Sequence, residues 1–183
     1  MDETPTREEW LQRCIDYHGH NCMGQTLGVR IALKGLELAK PSGRKDLVVA
    51  VENDRCIADA IQIVTGTRLG RRSMKLVDYG KMAATFWNLT TGHAYRVNVR
   101  HVDTKNASNA EAKLAAMRAP DEELLAWREV KVNFRPEELP SKPNRTVPCV
   151  RCGEKIFDGK DLPSDEGPLC LSCARGAYYE EIA

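Results

Sequence analysis

The sequence predicts an α+β domain, a small mixed sheet flanked by helices, followed by a C-terminal finger held by cysteines. Three observations carry this reading. Apolar periodicity changes along the chain in the order helices, strand, helix, strands, helices, strand. Residues 139–148 then contain three prolines and little apolar content, which marks a linker. Beyond it stand two Cys-x2-Cys pairs, Cys149/Cys152 and Cys170/Cys173, separated by 17 residues. The boundaries that follow are a core domain over 1–139, a linker over 140–148 and a finger over 149–183.

Thr6 and Glu9 form a capping box, and Trp10, Leu11, Cys14, Ile15 and His18 recur at helical spacing, so residues 7–18 read as a helix. Cys14 lies on its apolar face and reads as a plain buried thiol. Residues 25–40 read as a second helix, with Leu27, Ile31 and Leu38 on one face, Gly28 and Gly35 permitting close approach, and Pro41-Ser42-Gly43 as the stop. The apolar run 47–51 is a buried strand. Asn53 or Asp54 can cap a helix over 55–65.

Residues 65–73 form a Gly-punctuated basic loop. It lacks the Gly-Lys-Ser/Thr of a phosphate-binding loop, which leaves a solvated connection or an anion contact. Residues 75–80 and 83–89 are strand-like, and Tyr95, Val97 and Val99 alternate with polar residues after a turn at 90–93. The last two runs read as an antiparallel pair. His93 and His101 flank that second run and read as surface histidines. An Ala-rich helix over 109–118 ends at Pro120. Residues 121–128 read as a further short helical piece, and Val130, Val132 and Phe134 as a strand.

Composition narrows the function classes. Hydrophobic residues are 42% and charged residues 29% of the 183, which reads as globular. The net charge of +1 implies no general affinity for polyanions. No apolar run reaches the roughly 18 residues of a membrane span, and the acidic start Met1-Asp2-Glu3 is unlike a signal peptide. The expected location is therefore cytoplasmic. In a reducing compartment the seven cysteines read as thiols or metal ligands.

The four C-terminal cysteines have the spacing of a tetrahedral four-thiolate zinc site. Gly153 allows a tight knuckle, and Ala174-Arg175 is a helix start, which points to a treble-clef or ribbon-type finger. So short a module buries too little apolar mass to fold alone, so zinc supplies its stability. It carries four basic residues against seven acidic ones, the wrong sign for binding phosphates. It is expected to pack on the main domain, another protomer or a protein partner.

The other ligand-rich stretch is His18-Gly19-His20-Asn21-Cys22-Met23-Gly24. Cys22 precedes a helix N-terminus, where the thiolate is favoured, and Cys56 lies at a second one, at the carboxyl end of a buried strand. Asp59 follows one helical turn later, placed as a hydrogen-bond partner or proton carrier. His18, His20, Cys22 and Cys56 suit zinc or another divalent transition metal. Three ligands with one open position would make a catalytic type of site. Loop hydrogen bonding with buried thiols, or a redox dithiol, remain as alternatives.

These residues resemble the FmdE family of formylmethanofuran dehydrogenase-associated proteins. The resemblance rests on His18-Gly19-His20-x-Cys22-x-Gly24, on Glu52 to Gln62 with Cys56-x-x-Asp59-Ala60-Ile61-Gln62, on Gly66-x-x-x-Gly70, and on Gly80-Lys81-x-Ala83. It covers about residues 8–100, and the finger is similar to that of longer members. Met23 departs from the proline of many relatives but removes no ligand type. The resemblance implies a thioredoxin-like core with a treble-clef finger, a homodimer, and a metal held by this His/Cys set. It implies association with the molybdenum or tungsten enzyme that reduces carbon dioxide onto methanofuran in methanogenesis, an oxidoreductase system. His18, Cys22 and Cys56 are the expected ligands, with His20 as a fourth ligand or beside the site. Asp59 and Lys81 are the candidates for proton transfer or substrate contact. A metal-trafficking or protein-interaction module is the alternative.

Overall fold

The computed structural model describes residues 4–43, 45–100 and 109–182. The chain divides into two compact units, Met1–Asn133 and Phe134–Ala183. His101 lies outside the described residues.

The first unit begins with helix α1 (Arg7–His18), whose capping box is formed: Glu9 N–H donates to Thr6 Oγ1, and Thr6 N–H to Glu9 Oε2. Gly19, at φ 91°, ends the helix immediately after His18. Helix α2 (Met23–Ala39) follows with Cys22 as its N-cap, two residues earlier than expected. It is the central helix, buried at most positions from Gln25 to Gly35. A Cβ on Gly35 would lie 2.3 Å from the Phe86 ring, so glycine is what lets the helix lie on the sheet.

Strand β1 (Leu47–Val51) is buried throughout and leads to helix α3 (Cys56–Thr65). Then come β2 (Met74–Leu76), β3 (Ala83–Asn88) and β4 (Ala94–Val99). Helix α4 (Ala110–Arg118), a single turn α5 (Asp121–Leu124) and β5 (Leu125–Glu129) complete the unit. The sheet order is β2-β1-β3-β4-β5. β1 and β2 are parallel, and the other neighbours are antiparallel. This is a small mixed sheet flanked by helices, with the thioredoxin-like arrangement β2-β1-β3-β4 at its centre. It carries α3 away from the carboxyl end of the most buried strand.

Three local expectations are corrected. Residues 125–129 are strand, not helix, and no strand covers 130–134. Leu125 pairs with Val99 and Trp127 with Val97, so the free edge of β4 captures this segment in extended form. The cap of α3 is Arg55, not Asn53 or Asp54. Asn53 Oδ1 instead accepts the Arg55 N–H at 3.1 Å in the turn before the helix.

One buried charge ties the helices together. The Arg30 guanidinium, 1% exposed, donates to the carbonyls of Ala116, Met117 and Ala119 and to Asp121 Oδ1. It thereby satisfies the C-terminal carbonyls of α4 that have no partner within the helix. Burial alone would raise the Asp121 pKa, but the Arg30 hydrogen bond and charge hold it below the usual carboxylate value.

In the second unit, β6 (Thr146–Pro148) and β7 (Lys155–Phe157) form an antiparallel hairpin, and a short helix α6 (Leu171–Arg175) follows. β6 occupies the last three residues of the proline-rich stretch. Helix α6 starts with Cys170 as its cap, earlier than Ala174. Among the described residues only Cys149, Ile156 and Leu169 form its buried apolar cluster.

Candidate metal centres

The first centre is assembled by three helix ends. α1 delivers His18 in its last turn, the glycine turn carries the exposed His20, and Cys22 caps α2 without using its sulfur as a capping acceptor. One ring nitrogen from each histidine and Cys22 Sγ lie within 4.8 Å of one another. The imidazole centroids are 4.6 Å apart. Lys113 of α4 donates to the Asn21 carbonyl at 3.1 Å and pins the loop.

His18 shows which nitrogen is available. Its Nδ1–H donates to Asp59 Oδ2 at 2.8 Å, which fixes the ring and its tautomer. Its Nε2 is buried and has no hydrogen-bond partner. An orphaned buried acceptor is destabilising by about 1–3 kcal/mol unless something occupies its lone pair. A carboxylate behind one nitrogen and an unshared lone pair on the other is the usual arrangement of a metal-binding histidine. The residues present therefore fit a borderline-soft divalent ion such as zinc.

Cys56, the first residue of α3, stands outside the three-residue set and approaches from the Cys22 side. The point where a Gly24 Cβ would sit is 2.8 Å from Cys56 Cβ, 3.5 Å from Cys56 Sγ and 3.7 Å from Cys22 Sγ. A side chain at position 24 would clash with Cys56 Cβ, so Cys56 or the α2–α3 packing would have to shift. Gln25 fastens the same junction, its Nε2 donating to the Cys56 carbonyl at 2.7 Å. The expected helix-dipole effect does not win at Cys56. Burial, then the hydrogen bond and charge of Cys22, push its thiol pKa up. Two adjacent thiols contest one negative charge until a cation joins them.

Other candidates are placed elsewhere. Lys81 is exposed, with its ammonium 5.6 Å from the Tyr79 ring centroid, and no contact joins that ammonium to the His/Cys set among the described residues. Its carbonyl accepts from Asn53 in the turn leading to α3. Cys14 is wholly buried, and burial pushes its thiol up to about 12. His93 is exposed and pairs with Glu129.

The second centre gathers Cys149, Cys152, Cys170 and Cys173, whose sulfurs all lie within 4.8 Å of one another. Cys152 Sγ and Cys170 Sγ are 3.9 Å apart. Four sulfurs at about 2.3 Å from a tetrahedral zinc would be about 3.8 Å from each other. Backbone N–H groups of Cys152 and Cys170 stabilise the Cys149 thiolate and lower its pKa to about 6. The Cys170 hydrogen bond, then burial and the other thiols, raise Cys173 to about 12. The cluster is compatible with zinc, which would let all four ionise together.

The family model described as "FmdE, Molybdenum formylmethanofuran dehydrogenase operon" matches residues 17–138. That span holds His18, His20, Cys22, Cys56, Asp59 and Lys81, and it is more than half of the chain. The chain belongs to the FmdE family. A curated relative from Archaeoglobus fulgidus, a "Probable S-adenosyl-L-methionine-binding protein", is 28% identical over 207 residues, covering 94% of this chain and 54% of the relative. The chain thus spans about half the length of that relative. The fold is that of a tungsten formylmethanofuran dehydrogenase FmdE-like protein from Syntrophus aciditrophicus, known from a crystal structure. The TM-score is 0.67 at 23% identity, over 97% of this chain and 96% of that one. Among the described residues of this FmdE-family chain, no helix is long and apolar enough to cross a membrane.

Sequence reasoning missed Gln25 and the steric role of Gly24. Gln25 left no signal beyond being a polar residue among the apolar positions of α2. Gly24 reads as a loop glycine, and its close approach to Cys56 depends on how α2 packs against α3.

Proposed function

We propose that this FmdE-family chain holds a divalent transition metal, zinc by the chemistry of its donors, at the core cluster. His18 Nε2, Cys22 and Cys56 are its firm ligands. His20 is exposed, so it is the ligand that can give way to an incoming molecule and leave an open position. A metal so bound would act as a Lewis acid toward a coordinated oxygen. The chain's own part is to hold that ligand geometry. Asp59, 43% exposed on its side chain, orients His18 from one side and meets solvent on the other, which suits it to pass a proton. Lys81 is assigned a substrate contact.

The observation that carries this reading is the fixed His18 ring, with Nδ1 on Asp59 and a buried, unpartnered Nε2. The family description supports a role in one-carbon redox metabolism, beside a molybdenum or tungsten enzyme as protein partner. The chain acts there as a homodimer in the cytoplasm, with a structural zinc in the finger. The exposure of His20 also favours a second reading, in which the core site carries metal to a partner. Slow metal exchange at the core would count against that one.

Metal analysis of the purified chain tests the reading. About two ions per chain are expected, and Cys22→Ser should lose one while the finger stays loaded. One ion in both forms would sink the core site.

A further inference from the structure

A solvent-open cavity of about 410 Å³ is lined by the exposed residues Tyr17 and Arg68 and by the half-buried Gln62, Ile63 and Gly66. Its size is that of a small-ligand site. Tyr17 immediately precedes His18 in α1, and Gln62 and Ile63 lie one turn beyond Asp59 in α3, but the cavity is lined by none of the core-cluster residues. Gln62 and Gly66 belong to the family motifs, but neither those motifs nor the metal reading gives the cavity a task.

Its polar groups are mostly donors. Gln62 Nε2 donates one hydrogen to the Tyr17 hydroxyl at 3.1 Å. That leaves the hydrogen of the Tyr17 hydroxyl and the second amide hydrogen of Gln62 to be given elsewhere. The Arg68 guanidinium brings five more donors and has no hydrogen bond or ion pair among the described residues. No acidic side chain lines the cavity.

Arg68 is also set on fixed backbone. Its N–H donates to Ser73 Oγ at 3.0 Å, and its carbonyl accepts from Met74 N–H at 3.2 Å. Thr65 and Thr67 beside it are buried and share a hydroxyl hydrogen bond of 2.8 Å. A solvated connection needs none of this anchoring. A cation past the carboxyl end of α3 also complements the helix dipole. That accounts for the charge of Arg68, but not for a hydroxyl and an amide lining the same space.

We propose that this cavity binds a small ligand through an oxyanion head, a carboxylate or a phosphate. Arg68 holds the head, the Tyr17–Gln62 pair orients it, and Ile63 packs against the ligand body. A guanidinium fork matches the two oxygens of either head group.

The test is an NMR titration of the full, zinc-loaded chain at constant ionic strength, with inorganic phosphate in one arm and succinate in the other. The Gly66 backbone amide and the Gln62 side-chain amide are followed. Saturable shifts at both probes are expected in at least one arm, and the arm that responds identifies the head group. Arg68→Ala should weaken the response by about tenfold or more, and Arg68→Lys should retain part of it. Arg71→Ala removes the same charge from an exposed neighbour in the same turn and should leave binding unchanged. Shifts that fail to saturate in both arms would overturn the proposal, as would an equal loss in Arg71→Ala. The measurement does not depend on the core ion, so its failure leaves the metal reading untouched.

Discussion

The two cysteine-bearing clusters differ in what surrounds them. The His18–His20–Cys22 set, with Cys56 alongside, rests on a unit with a full core: β1 is buried at every residue, α2 packs over the sheet, and α3 packs against α2 and α1. The four-cysteine set has only Ile156 and Leu169, with Val147 partly buried against them, as its apolar support among the described residues. Two imidazoles join the thiols in the first, while the second has thiols only. In the finger a metal would replace the missing core. In the core domain it would be added to a structure that stands without it. Ligand clusters of similar size can thus have opposite relations to folding, decided by the apolar mass around them.

The sharpest way to break that comparison is to remove metal. A chelator strong enough to empty both centres should unfold the finger, where zinc binding supplies on the order of 10 kcal/mol of folding free energy. The core domain should remain folded. Amide exchange separates the two: Ile156 and Leu169 should lose protection, while Val48, Val49 and Val51 keep it. Loss of protection in both units together would show that the core cluster also stabilises its own scaffold.

A smaller perturbation acts inside the core cluster. Gly24→Ala places a methyl 2.8 Å from Cys56 Cβ. Either Cys56 withdraws from Cys22 or the α2–α3 packing opens, and overpacking of this kind is destabilising by about 1–3 kcal/mol. Alanine also favours helix over glycine by up to about 1 kcal/mol in the first turn of α2, which offsets part of the loss. A net loss of up to about 2 kcal/mol remains, so thermal unfolding of the core should come at a modestly lower temperature, while competition with a metal indicator should show weaker binding at the core only. Unchanged core affinity would mean that Cys56 is not a ligand.

These contrasts were only partly visible in the sequence. α1 was legible because its signals are local, a capping box and an apolar stripe within twelve residues. β1 was legible as a bare apolar run, and the finger from cysteine spacing. Residues 125–134 were not, because Leu125 and Trp127 fit either a short helix or a strand. The edge of β4, distant in sequence, decides between them. Arg30 was equally hidden, since its partners are carbonyls at the far end of α4. At the core cluster the donor types were readable. The pairing of Asp59 with one particular histidine nitrogen was not, and neither was the burial that raises the Cys56 thiol.

The smallest expected effect tests the feature that sets the core cluster apart from the finger, a carboxylate behind a ligand. Asp59→Asn keeps the size of the side chain and can still accept a hydrogen bond through its amide oxygen. It loses the negative charge that makes His18 a stronger donor toward metal. Losing such a partner weakens metal affinity by about 10- to 100-fold. The low end, about tenfold, is expected here because the Asp59 side chain is 43% exposed and water screens part of its charge. Finger affinity and the unfolding temperature of the core should not move, since no buried packing is removed. A cobalt-loaded sample gives a second reading: its ligand-field bands should shift at the core centre if His18 turns or weakens. If Asp59→Asn leaves both the affinity and the spectrum unchanged, the Asp59–His18 contact is a surface pair, and the buried Nε2 of His18 needs another explanation than a metal.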